Sequence, residues 1–240
     1  MTVKAWLDGD PIDLRVLASM FTEGDVRVLH DNSEDAYYLT APNIDSPAEV
    51  GRFDVPAEEL LRQVNGLARA RNPDFRPALL TGRYTNPSGT HVFAAALNLE
   101  LRISLGMTAT VLGADGESIP DPPSPWPDRL ALAAAHPDTA EVLAILGSRE
   151  PLGWVELYKI HEIIRNAIKP DTLIGLGWSD KTTDSAFTAS ANRKDVSGDT
   201  ARHARNSGAS PTHTMTLPEG RSCISDLVTK WLAALDDRAH

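Results

Sequence analysis

Pro120-Asp-Pro-Pro-Ser-Pro-Trp-Pro127 is the stretch on which the reading of this 240-residue chain turns. Five of its eight residues are proline. Each proline removes a backbone donor and fixes φ, so the stretch favours an extended polyproline II spacer or a string of turns. The patterning also changes here. Before it, short alternating apolar runs dominate; after it, apolar residues recur at helical spacing. The expected fold class is α+β: a mostly antiparallel sheet with two helices over 1–119, a proline-rich linker over 120–136, and an α-helical bundle over 137–240.

In the first half, Val3–Leu7 alternates and meets the turn signal Asp8-Gly-Asp-Pro11. Ile12, Val16, Leu17, Met20 and Phe21 fall at helical spacing, with Gly24 placed to end the helix. Val26–His30 and Ala36–Thr40 read as strands joined by a polar hairpin loop, Asp31–Asp35. Pro56 suits the first turn of a second helix whose stripe is Leu60, Leu61, Val64, Leu67 and Ala68, closed by Asn72-Pro73. Leu79–Tyr84 and the run from His91 to Val111, split by Asn86-Pro-Ser-Gly89, complete the sheet.

In the second half, Thr139–Leu146, Gly153–Ile168, Thr182–Ala191 and Thr216–Leu235 read as helices. For the second of these the expected buried side includes Val155, Tyr158, Ile160, His161, Ile164 and Ile168. Met215-Thr216 ahead of Pro218-Glu219 has the form of a helix cap followed by a first turn.

Charge is unevenly placed. Residues 1–128 hold 10 Lys/Arg against 19 Asp/Glu, and residues 129–240 hold 13 against 14. An acidic front half disfavours broad binding of nucleic acid through that half and offers a handle for a protein partner. The single cysteine, Cys223, excludes an internal disulfide framework and a cysteine-rich zinc site. The N-terminus carries no signal-peptide pattern, and no window approaches the apolar length of a membrane span, so a cytoplasmic protein is expected.

Spacing dismisses several chemistries. The glycines near Gly82 and at Gly175 and Gly177 lack the rest of a phosphate loop. There is no Gly-x-Ser-x-Gly elbow and no His-Glu-x-x-His pair. His161-Glu162 sits in a helical pattern without a second histidine one turn away, which fits a buried histidine better than a ligand. No cofactor and no metal is expected. The dense polar segment Ser190–Asn206 remains, with Asn192, Arg193, Lys194, Arg202, His203, Arg205 and Asn206. Guanidinium groups grip phosphate in two-pronged fashion, and an imidazole moves a proton near neutral pH. The plainer account of the same residues is a solvated surface loop.

The order of that segment, a polar loop and a final amphipathic helix resembles HEPN-like domains over roughly residues 138–235. These are helical bundles of bacterial defence and toxin–antitoxin proteins, many of them metal-independent ribonucleases. Their Arg-to-His gap is commonly four to six residues, whereas nine residues separate Arg193 from His203 here. The resemblance implies that His203 acts as general acid or base at an RNA 2′-OH. It further implies that Arg193 or Arg202 stabilises phosphoryl charge and that Asn192 orients the histidine. Arg205, Asn206 and Lys194 would then be RNA contacts.

Two functions follow as expectations. The first is a non-catalytic interaction or sensing module, in defence or stress; the second is a ribonuclease centred on the 192–206 segment. Trp154, Trp178 and Trp231 crowd one small bundle, which motivates a homodimer, with burial inside the bundle as the alternative.

Overall fold

A computed structural model describes residues 2–47, 49, 51–92, 124–203 and 212–239. The expected strands after Val92, and residues 120–123 of the proline stretch, lie outside the described residues. In chain order the elements are β1 (Lys4–Asp8), α1 (Pro11–Met20), β2 (Arg27–Asp31), β3 (Ala36–Thr40) and the single turn α2 (Pro42–Asp45). They continue with α3 (Asp54–Arg71), β4 (Leu79–Asn86), β5 (Gly89–Val92), α4 (Trp126–Ala135), α5 (Pro137–Leu146) and α6 (Trp154–Ala167). Then come α7 (Lys181–Asn192), the short α8 (Lys194–Ser197) with a following 3-10 turn, and α9 (Leu217–Ala239). The chain is α+β, with a wholly antiparallel sheet in the order β2-β3-β1-β4-β5 and a helical C-terminal region. No described helix is long and apolar enough to cross a membrane.

Two compact units divide the chain. One comprises 1–58 and 78–127, the other 59–77 and 128–240, so the three divisions fall within α3, between α3 and β4, and within α4. Residues 126–135, inside the stretch read as linker, form α4, with Pro127 in the first turn, where its missing N–H is harmless.

In the sheet unit, register explains which side chains are buried. Val28, Leu39, Ala5 and Tyr84 stand in one cross-strand row, and each is 1% exposed or less. The next row puts Leu29, Tyr38 and Trp6 on the opposite face. There the Arg83 guanidinium lies 4.0 Å from the Trp6 ring centre and the Lys4 ammonium 4.8 Å from that of Tyr38. Cations thus cover that face's aromatics, a cheap way to shield flat apolar surface. Asp10 caps α1 by accepting from the Ile12 N–H, and Leu14, Leu17 and Met20 are its buried stripe. Ile12 and Val16, expected inside, are only half-buried.

In the helical unit, Leu60, Leu61, Val64, Leu67 and Ala68 are buried along α3 as the spacing predicts. On α6 the stripe is rotated from the expected one. Trp154, Leu157, Ile160, His161 and Ile164 are buried, while Val155 is exposed and Tyr158 only half-buried. A bulky Trp154 at the first helical position sets the face; Val155 lies about 100° round the helix from it. Gly66 and Gly147 allow α3 and α5 to touch backbone to backbone: a Cβ on Gly66 would collide with Leu143, and one on Gly147 with Arg62. Arg69 of α3 is buried and donates to the carbonyls of Phe75, Leu146 and Ser148 at 3.2, 2.8 and 2.8 Å. Burial, and then the charge of Arg221, lower its pKa to about 10, leaving it cationic at neutral pH. Of the three tryptophans that motivated pairing, Trp154 and Trp231 are buried inside this unit and Trp178 is half-buried.

Candidate functional site

Residues 190–203 fold back on the end of α7. Arg193 closes α7 through its N–H to the Ala189 carbonyl, and the Arg202 N–H returns to the Ala191 carbonyl at 2.8 Å. Ser190, fully buried, accepts at its carbonyl from the Ser197 hydroxyl and at its own Oγ from the Met215 N–H. The described cations Arg193, Lys194 and Arg202 each have a carboxylate within 4 Å. Arg193 grips Asp195 with two nitrogens at 3.0 and 2.7 Å, which raises the arginine's pKa and lowers the acid's. Lys194 meets Asp199 at 2.9 Å. Arg202 lies 4.5 Å over the Tyr158 ring and 3.8 Å from Glu162, both on α6. The Asn192 amide donates to the Thr188 carbonyl. His203 is exposed at the end of the described segment, and Arg205 and Asn206 lie outside the described residues.

A second constellation lies in the same unit, at a cavity of about 400 Å³ among α6, α7, α9 and the loop leading into α7. Local rules build its walls. Asp180 caps α7: one carboxylate oxygen accepts from the Thr182 and Thr183 N–H groups at 2.8 and 2.9 Å, the other from the Thr183 hydroxyl. That start sets Asp184 in the first turn of α7, where the helix dipole favours an acid. The loop is held by the Trp178 N–H on the Leu173 carbonyl and by Lys230 of α9, which donates to the Trp178 carbonyl at 3.0 Å.

His161 comes to this cavity from the buried stripe of α6. Its Nε2 is 2.8 Å from Asp184 Oδ1, its ring centre is 4.9 Å from that of Phe187, and the side chain is 4% exposed. The hydrogen bond from His161 lowers the Asp184 pKa, so the carboxylate is ionised and accepts. The proton of a neutral ring therefore sits on Nε2, leaving Nδ1 an acceptor. Nδ1 is buried and has no partner among the described residues. Cys223 also lines the cavity, and burial, then the charges of Asp226 and Asp184, push its thiol up to about 11. It is a neutral wall group at physiological pH and a poor nucleophile. Among the described residues no three His, Cys, Asp or Glu side chains are grouped to hold a metal ion.

Comparison with known proteins returns nothing. No family model matches the chain, and no curated protein or solved structure matches it.

Sequence reasoning singled out the segment whose charges this structure pairs among themselves and against α6. It passed over the pair at the cavity. His161 was legible as a buried histidine, but its partner is 23 residues away on another helix, and no local motif links them. The available signal was an acid one turn beyond a helix-capping Asp180, following a helix with histidine on its apolar stripe.

Proposed function

We propose that the protein is a non-catalytic interaction or sensing module whose sensing site is the cavity of the helical unit. One observation carries this reading: the buried His161, 2.8 Å from Asp184, forms with it part of the wall of a cavity of ligand size. The walls come from α6, α7 and α9, so an occupant would tie those helices together and raise the unit's stability by mass action. The carboxylates on Arg193, Lys194 and Arg202 weigh against reading the 192–206 segment as a phosphate grip. The acidic front of the chain, with 19 Asp/Glu against 10 Lys/Arg over residues 1–128, suits contact with a basic partner protein.

The test is thermal unfolding of the full chain against a library of small metabolites, run beside incubation with total RNA in EDTA. The reading expects compounds that raise the melting temperature saturably, and intact RNA. RNA cleavage that survives chelation and vanishes in His203→Ala would replace it with a metal-independent ribonuclease.

A further inference from the structure

The cavity's chemistry is asymmetric in charge. Three carboxylates line it, Asp180, Asp184 and Asp226, against one ammonium, Lys230. These groups are not equally available. Both oxygens of Asp180 are occupied in capping α7. Asp226 and Lys230 compensate each other at 2.7 Å, and Lys230 is further held by the Trp178 carbonyl. Asp184 is left as an ionised acid whose bond to His161 uses Oδ1 alone. Beside it stands the buried imidazole ring of His161. The remaining wall is apolar and aromatic, chiefly Trp178, Phe187, Leu173 and Leu227.

We propose that this cavity binds a small organic cation: a ring-sized apolar body carrying an ammonium or guanidinium group. The inference rests on the reading of the cavity as a ligand site and names what enters it. Two demands converge on that class. The Asp184 carboxylate, whose second oxygen takes no bond from His161, calls for positive charge beyond that of nearby Arg165, and the aromatic lining gives a cation a favourable face. An anion meets the opposite: it faces carboxylates and finds the cavity's one ammonium already engaged. A neutral alcohol supplies no charge for Asp184.

Three probes of matched shape separate these terms: 2-phenylethylamine, 2-phenylethanol and 3-phenylpropionate, titrated calorimetrically into the full chain near neutral pH. The amine is expected to bind saturably and at least about tenfold tighter than the alcohol, equivalent to about 1.4 kcal/mol. The propionate should give no binding heat. Asp184→Asn, which keeps an oxygen to accept from His161, should erase most of the amine's advantage and leave the alcohol's affinity within about twofold. Asp226→Asn, on the exposed side of α9, provides a second variant that does not disturb the His161 pair; by freeing Lys230 it should weaken the amine at least about threefold. Equal binding of amine and alcohol, tighter binding of the propionate, or an amine preference that survives both substitutions overturns the cation assignment and leaves the cavity a ligand site. Absence of amine binding at millimolar concentration, while library compounds still stabilise the protein, also overturns the assignment alone. Failure of every library compound strikes the sensing reading instead.

Discussion

Gly66→Ala tests how α3 meets α5. Alanine is the better helix former by about 1 kcal/mol, so propensity alone predicts a more stable protein. Packing predicts the reverse. The added methyl would stand 2.9 Å from both the carbonyl carbon and the Cα of Leu143, and closer still to its carbonyl oxygen. Ordinary carbon contacts lie near 3.5–4.0 Å, so the helices must part by about 1 Å. The obstacle is backbone in the body of α5, and the Leu143 carbonyl is itself held by the Gly147 N–H at 2.8 Å. No flexible side chain can swing away. Overpacking of this kind costs about 1–3 kcal/mol, and the upper part of that range applies against an unyielding neighbour. Subtracting the propensity gain leaves a net loss of about 1–2 kcal/mol. For a chain of this size that lowers the melting temperature by about 2–8 °C, read by far-UV circular dichroism. A melting temperature unchanged or raised would refute the close approach of the two helices.

Three further outcomes follow from individual contacts. Arg69→Met fills similar space but removes the donors for the carbonyls of Phe75, Leu146 and Ser148; it should destabilise by about 3 kcal/mol in urea unfolding, and Arg69→Lys should recover only part of that. Thr216→Ala breaks the reciprocal cap in which Glu219 accepts from the Thr216 N–H at 2.7 Å, and should cost about 1 kcal/mol with fraying of α9 seen in amide exchange. The Asp184 pKa is lowered in the folded state, so its contribution is present above the unfolded value of about 4 and is lost as pH falls through the folded value. The stability gap between wild type and Asp184→Asn should therefore close as pH is taken from 6 toward 3; a gap that stays constant would contradict the pairing.

What could be read in the sequence was what local rules decide. The loop Asp31–Asp35 between two β-rich runs announced its hairpin, and the register of β2 on β3 follows from it. The stripe of α3 and the Thr216–Glu219 cap were likewise legible, because spacing and capping act within a few residues. Contacts between elements were not. Nothing local marks Gly66 and Gly147 as points where two helices touch, since a glycine inside a helix reads only as a weak helix former and one just past a helix end reads only as its cap. Arg69 reads as a surface charge until three carbonyls from other segments surround it. The helix α4 hid behind Pro125 and Pro127, which read as breakers although one of them opens the helix. The site followed the same division. The 192–206 segment stood out because its charges are dense in sequence, and the same density lets neighbours neutralise one another, as Arg193 and Asp195 do. His161 and Asp184 meet only through the packing of α6 against α7.

In the proposed function the helical unit works by taking a ligand into the cavity beside His161. Of the chain's five tryptophans, only Trp178 lines that cavity. The indole N–H cross-peaks of the full chain, recorded while titrating a compound that raises the melting temperature, test the claim most directly. The Trp178 peak should move saturably with the same dissociation constant as the stabilisation, while the Trp6 peak, from the sheet unit, holds its place. A stabilising compound that shifts Trp6 and leaves Trp178 unmoved would contradict it.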